Sequence, residues 1–417
     1  MAEFFNVLPP DEARALLLRH IRPLVGIEEI TTTETLGRTT AADIHAPQSL
    51  PSFRRSTMDG YAVHARDTFG ASESLPGFLR VVGEVSMGRE ADIELDNGQA
   101  ALIHTGAMLP PTADAVVQIE HTLTVEALTV GGLPYEIEVF RAAAVGQNVI
   151  QVGEDIAGGE LLLSAGTVLR PQDIGGLLAL GISRVAVRPQ PRVMILATGD
   201  EIISPEQEPR PGQIRDINSF TVAGQCVGGG ATPIIIGIVP DDLERLHDAA
   251  RQALAAGDMV VMSAGSSVSV RDMTVDVIDR LGKPGVLFHG VATRPGKPTI
   301  VGVIDGKPVL GLPGNPVSAM IQFDMFGVPA IRRLLGVNHT PPRSQVQARL
   351  TRNISSESGR EDYVPARLEE TTDGFLATPI FGKSNLIFTL INADGLVKIP
   401  LNRGGLSAGE LVEVRLF

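Results

Sequence analysis

The sequence predicts a multidomain α/β plus β protein centred on a doubly wound α/β domain. Three observations predict it. From about residue 192, apolar runs alternate with helical stretches, the pattern of repeated βαβ units. Residues 46–145, and the region beyond Gly336, instead carry short β-type runs broken by Gly and Pro every few residues. Several apolar runs also end in loops rich in Ser, Gly, Asn and acids, where open α/β sheets bind their ligands.

In chain order, residues 12–21 read as a helix, with Asp11 as N-cap after Pro9-Pro10. Residues 79–82 and 115–119 are β-type runs within a small β-rich region, and 146–189 is mixed, with an αβ pattern near 174–187. Buried strands are expected at 193–197, 233–239, 258–262 and 309–312. A helix follows the second, with Leu243, Leu246, Ala250, Ala253 and Leu254 on one stripe. Gly228-Gly229-Gly230 is expected to end a helix, and Asn315 followed by Pro316 starts one. The last 80 or so residues, roughly a half-sized domain, suit a small sandwich or barrel.

Composition narrows the function classes. The 417 residues are 43% hydrophobic and 20% charged, as in a globular protein with ample core. No apolar run reaches the roughly 18 residues of a membrane span, and the N-terminal stretch lacks a signal-peptide layout. Cys226 is the single cysteine, which excludes an intrachain disulfide; a cytoplasmic location is expected. A net charge of −13 and the lack of Trp argue against nucleic-acid binding.

Chemistry concentrates at the expected strand ends. Asp200, Glu201, Asp241, Asp242 and Asp272 could hold Mg²⁺, which takes a few carboxylates together with phosphate oxygens. Asp241 and Asp242 equally suit a helix start. Arg294 and Lys297 flank Pro295-Gly296, a rigid cationic pair suited to a tetrahedral anion. Ser263, Ser266, Ser267 and Ser269 could donate to phosphate as a nest does. By spacing alone, Asp59-Gly60 and His104-Thr105-Gly106 are turns, and His289 is a packed residue beside a strand. No catalytic triad order, His metal spacing or dinucleotide fingerprint is present.

Taken together, the motifs resemble the MoeA/gephyrin E-domain family, the molybdopterin molybdenumtransferases, over nearly the whole chain. The resemblance rests on Pro51-Ser52-Phe53, Ser56-Thr57-Met58-Asp59-Gly60-Tyr61-Ala62, Thr105-Gly106-Ala107 and Ala113-Asp114-Ala115-Val116-Val117. It continues through Gly153-Glu154-Asp155, Thr198-Gly199-Asp200-Glu201, Pro295-Gly296-Lys297-Pro298 and Leu312-Pro313-Gly314-Asn315-Pro316. It implies an elongated linking domain (1–45 with 146–189), a β-rich lobe (46–145), a doubly wound, MogA-like domain (190–338) and a C-terminal β-barrel-like domain (339–417).

The implied reaction is insertion of molybdate into adenylylated molybdopterin with Mg²⁺-dependent release of AMP, the last step of molybdenum cofactor synthesis. The family's catalytic positions fall on Asp59, Thr105, Asp155, Glu201, Asp241 and Asp272, with Glu201, Asp241 and Asp272 toward Mg²⁺. Ser263, Ser267, Pro295, Pro298 and Asn315 would face the substrate; Arg294, Lys297, Ser318, Arg360 and Ser384 would bind molybdate. A homodimer is implied, with Asp59 of one subunit serving the doubly wound domain of the other. The molybdopterin adenylyltransferase and acceptor apoenzymes are implied partners. The sequence departs from the family where Ala264 and Ser269 replace glycines of the serine loop, and where Ile150 replaces a cation. Two rival readings are an adenylyltransferase, disfavoured by the extra β-rich regions, and a non-catalytic scaffold, disfavoured by Asp59, Glu201 and Asp272.

Overall fold

The Gly- and Pro-punctuated stretch before residue 145 folds as a six-stranded sheet in the computed structural model, which describes residues 7–125, 129–130, 133–134, 136–264, 268–339 and 342–417. Its strands are β1 (Gly60–Val63), β2 (Gly77–Val85), β3 (Gln99–Ile103), β4 (Ala115–Gln118), β5 (Thr122–Thr124) and β6 (Glu136–Val139). They lie in the order β4-β1-β3-β2-β6-β5, and only the β2–β3 pair is parallel. Strand β1 is buried throughout because alternate residues enter different cores: Tyr61 and Val63 on one face, Ala62 on the other. This sheet belongs to a unit comprising Asp43–Ser164 and Gly175–Ser183; Met1–Ala42, Ala165–Ile174 and Arg184–Phe417 form the other.

In the larger unit the first helix, α1, spans Pro10–His20. Its N-cap is Pro9 and no side chain caps it; Asp11, expected to do so, pairs instead with Arg14 at 2.7 Å. The expected strands appear as β7 (Arg192–Thr198), β8 (Thr232–Val239) and β9 (Met259–Ala264), but β8 is not buried as expected: it is the edge strand of its sheet, with Ile235 and Ile236 exposed. Next come β10 (Pro284–His289), the short β11 (Thr293–Arg294), β12 (Ile300–Ile304) and β13 (Lys307–Pro313). The central sheet runs β8-β7-β9-β13-β12-β10.

The first four of these strands are parallel, whereas β12 and β10 extend the sheet antiparallel. The sheet is therefore mixed, which the alternating pattern did not predict. Its cause is local: Asp305-Gly306 links β12 to β13 with φ values of +51° and +88°. Two residues with positive φ form the mirror-image turn that matches the twist of an antiparallel hairpin. His289, expected beside a strand, ends β10.

The sheet is covered on both faces because its strands alternate between two cores. Val193, Ile195, Val261 and Leu312 face α1, α2 (Asn218–Gly228), α5 (Pro316–Gln322) and α6 (Val328–Leu334). Met194, Leu196, Val260 and Val309 face α3 (Leu243–Ala256) and α4 (Val268–Leu281). Buried on both sides, β7 reads as one continuous apolar run rather than an alternating one. Cys226 of α2 is fully buried in the first of these cores, and Gly229 ends α2 as expected. Between α5 and α6 the chain widens into a π turn at Phe323–Gly327.

Beyond α6, β14 (Gln345–Leu350), β15 (Glu361–Thr371), β16 (Gly374–Pro379), β17 (Gly395–Ile399) and β18 (Leu411–Leu416) pair in a ring. The order β15-β16-β14-β18-β17 closes through β15–β17, giving a five-stranded barrel filled by Leu350, Ala366, Val397 and Val414. Closure removes the exposed edges that an open sheet would leave.

Candidate active site

Strand β11 departs from the central sheet and pairs with the start of β15, Thr293 opposite Glu361 and Arg294 opposite Asp362. The pairing fastens the Arg294–Pro298 loop to the barrel. Gln322 fixes the loop from beneath: its buried amide donates to Thr293 Oγ1 and to the Pro295 carbonyl, each at 3.0 Å. Gly296 adopts φ +102°, and a Cβ there would lie 2.3 Å from the Gln322 amide nitrogen. Only glycine meets both demands.

A cavity of 790 Å³ opens over this loop, lined also by Asn315, Ser318, Arg360 and Ser384. Asn315 starts α5, but its amide donates to Ser384 Oγ at 2.9 Å and makes no helix cap. The Ser384 carbonyl accepts from Val317 N–H at 3.1 Å, so the 382–385 loop of the barrel is tied to the start of α5.

Asp362, 2% exposed, forms the back wall. It accepts from Arg360 Nε at 2.9 Å and lies 3.7 Å from an Arg294 terminal nitrogen. A buried carboxylate is tolerated when paired, and here it holds two guanidinium groups toward one cavity. Tyr363 donates to Glu361 at 2.6 Å; burial, reinforced by that carboxylate, pushes its phenol up. Lys398 closes the group with a 2.7 Å ion pair to Glu361. The cavity wall bears four cations, Arg294, Lys297, Arg360 and Lys383, against the single carboxylate of Asp362. Such a wall recognises an oxyanion.

The expected acids lie elsewhere in the same unit. Thr198 at the end of β7 pairs in register with Val239 of β8 and Ala264 of β9, so the loops after these strands leave one sheet edge together. Asp241 accepts from Thr198 Oγ1 at 2.8 Å, and its N–H donates to Asp200 at 3.2 Å. Asp242 caps α3, accepting from Arg245 N–H at 2.9 Å. The structure thus divides the adjacent pair, one acid joining the strand-end group and one capping. Glu201 is half-buried, and Asp272 is exposed on the first turns of α4. Ser263 is buried near the end of β9, while Ser266 and Ser267 lie outside the described residues. None of Glu201, Asp241, Asp272 or Ser263 lines the oxyanion cavity. Among the described residues no three His, Cys, Asp or Glu side chains gather as a metal group.

In the smaller unit, the two loops expected as independent turns are joined. Asp59 accepts from Thr105 N–H at 2.7 Å and from Thr105 Oγ1 at 3.1 Å. Those bonds, backbone first, hold its carboxyl below the ordinary value of 3.8. His104 bridges onward, its Nε2 3.0 Å from Glu84. Asp155 is exposed, its N–H donating to the Leu50 carbonyl at 3.0 Å.

Asp362 and Gln322 were missed from sequence. Asp362 stands two residues from Arg360, which lies just before the strand that begins at Glu361, close enough for the two side chains to pair. Gln322 carried no signal, because its partners lie 27 and 29 residues upstream.

Comparison with known protein families covers the chain in three segments. The family described as "MoeA N-terminal region (domain I and II)" matches residues 8–181. That described as "Probable molybdopterin binding domain" matches 194–333, and "MoeA C-terminal region (domain IV)" matches 347–417. A molybdopterin molybdenumtransferase of Bacillus subtilis is 33% identical over 418 residues, covering 100% of this chain and 96% of that protein. Two crystal structures of a molybdopterin biosynthesis MoeA protein from Pyrococcus horikoshii also match. One is 41% identical with a TM-score of 0.78, covering 99% of each chain. The other is 32% identical with a TM-score of 0.85, covering 99% of this chain and 100% of that one. With the oxyanion cavity, the sheet-edge acids and full-length similarity all in one chain, this protein belongs to the MoeA family.

Proposed function

We propose that this protein is a molybdopterin molybdenumtransferase, which inserts molybdate into adenylylated molybdopterin and releases AMP. The observation that carries the reading is the cavity in which Arg294, Lys297, Ser318, Arg360 and Ser384 converge. Molybdate is a tetrahedral dianion. Forked guanidinium donors, a lysine point charge and serine hydroxyls match its charge and its acceptor oxygens. Asp362 keeps Arg360 in place, so the cavity is organised before substrate arrives. Arg360 and Ser384 belong to the barrel region, which disfavours an adenylyltransferase reading.

The strand-end acids suit Mg²⁺ as hard oxygen donors at an accessible sheet edge. Mg²⁺ uses one or two carboxylates together with water and substrate phosphates, so a cage of three is not needed. One or two of Glu201, Asp241 and Asp272 would hold it, and bound there it would polarise a phosphoryl oxygen. Thr198 orients Asp241 through its hydroxyl donor. The protein is further assigned to the cytoplasm as a homodimer that takes adenylylated molybdopterin from the adenylyltransferase and serves acceptor apoenzymes. Among the described residues no helix is long and apolar enough to cross a membrane.

The test is AMP release from adenylylated molybdopterin. Lys297→Ala is expected to raise the molybdate requirement about tenfold or more, the effect of losing one charge-assisted contact, with binding of the adenylylated pterin nearly intact. Lost pterin binding with a normal molybdate dependence would overturn the assignment of the cavity.

A further inference from the structure

Away from the oxyanion cavity, three arginines surround one carboxylate. Asp324, in the π turn, accepts from one terminal nitrogen of Arg343 on both oxygens at 2.6 Å, and its carbonyl accepts from the other at 3.1 Å. Arg415 pairs with the same carboxylate. Arg332 of α6 stands beside them, and among the described residues no ion pair engages it. Two hollows, of 450 and 530 Å³, flank the group and share Asp324, Arg332, Arg343 and Arg415 in their walls. The smaller has no wall residue in common with the oxyanion cavity.

The charges do not balance. Three guanidinium groups against one side-chain carboxylate leave an excess of positive side-chain charge, in a chain whose net charge is −13. Arg14, on the wall of the larger hollow, is already paired with Asp11, and the exposed Arg333 at its rim adds the same sign. Burial, then repulsion from a neighbouring arginine, lowers the proton affinity of both Arg332 and Arg343, a tension that a bound anion would relieve. The carboxylate also sits on a π turn, a rare geometry concentrated at functional sites. The smaller hollow also has apolar lining, with Met320, Ile321, Val328, Leu390 and Leu396 in its wall.

We propose that this hollow is a second ligand site, for a small phosphomonoester held by Arg332, Arg343 and Arg415 through its phosphate, with its organic part on the apolar wall. Three guanidinium groups in one wall favour a phosphate over a carboxylate, since a phosphomonoester carries about −1.5 to −2 at neutral pH and a carboxylate only one charge. The arginine fork fits phosphate oxygens in pairs. The volume lies within the range of small-molecule pockets. This site is independent of the molybdenum-inserting reaction.

The test is a calorimetric titration of the full-length protein with glycerol 3-phosphate, with glycerol as the uncharged control. Wild-type protein and Lys297→Ala are expected to bind glycerol 3-phosphate alike, and neither to bind glycerol. Arg332→Ala is expected to weaken binding about tenfold or more, the effect of removing one charge-assisted contact. Arg332→Gln, which retains side-chain length without the charge, is expected to do the same and replaces Arg332→Ala if that variant fails to fold. Equal binding by the Arg332 variants overturns the proposal, as does no binding by wild type. Binding lost in Lys297→Ala but kept in the Arg332 variants also overturns it, because the phosphate would then occupy the oxyanion cavity.

Discussion

At the scale of single residues, the oxyanion cavity depends on a side chain outside its lining, Gln322. Gly296 lies against Gln322, and Gln322 holds the carbonyl of Pro295. Gly296→Ala is therefore expected to displace the loop bearing Arg294 and Lys297, destabilising the protein by about 1–3 kcal/mol and reducing AMP release more than it reduces stability. Denaturant midpoints and turnover measured on the same variant separate these effects. Asp59 offers a second residue-level test, through pH. Its carboxyl is depressed in the folded protein by Thr105, so its stabilising effect is complete above the ordinary value of 3.8 and fades as pH falls through the lower folded value. Thr105→Val removes the hydroxyl donor and keeps the backbone donor. The Asp59 titration, followed by NMR, is expected to move part of the way back up; an unchanged titration would show that the hydroxyl contributes nothing.

At the scale of elements, adjacent acids at one strand end do different work. Asp242 caps α3, whereas Asp241 joins Thr198 and Asp200. Asp242→Ala is expected to cost about 1 kcal/mol of stability with AMP release largely retained. Asp241→Ala is expected to abolish most AMP release with a smaller change in the denaturant midpoint. The reverse pattern would exchange their roles. The strands β7, β9 and β13 were legible because burial on both faces writes a continuous apolar run; β8 carries an equally apolar run but lies at the sheet edge with Ile235 and Ile236 exposed. The antiparallel extension was also written in the sequence, at Asp305-Gly306, but a two-residue turn is easily lost beside longer βαβ signals. Gly306→Ala places a Cβ at φ +88° and 2.7 Å from Arg22, and is expected to lower stability by about 1–2 kcal/mol. Barrel closure through β15–β17 could not be read, because strand order depends on pairings distant in sequence. Likewise Arg294, Lys297 and Pro298 were legible as a rigid cationic turn, but nothing local linked them to Asp362.

At the scale of the whole molecule, the chain holds separate cores in its two units. Units with their own cores unfold as their own cooperative blocks, so scanning calorimetry is expected to show two transitions rather than one. A substitution confined to the smaller unit, such as Ile137→Ala in its core, is expected to move only one of them, by the several degrees that about 2–4 kcal/mol brings in a domain of that size. The burial of Cys226 in the larger unit has a consequence for the metal being handled. Burial pushes its thiol up to about 12, so at neutral pH the side chain is both covered and protonated. A thiolate is a metal ligand, and a protein that works on a dithiolene would compete with its own substrate if it offered one. With its one sulfhydryl shut inside α2, this chain leaves the dithiolene of the pterin without a thiolate rival. A thiol-specific reagent is accordingly expected to label the native protein negligibly and to titrate one group per chain only after unfolding.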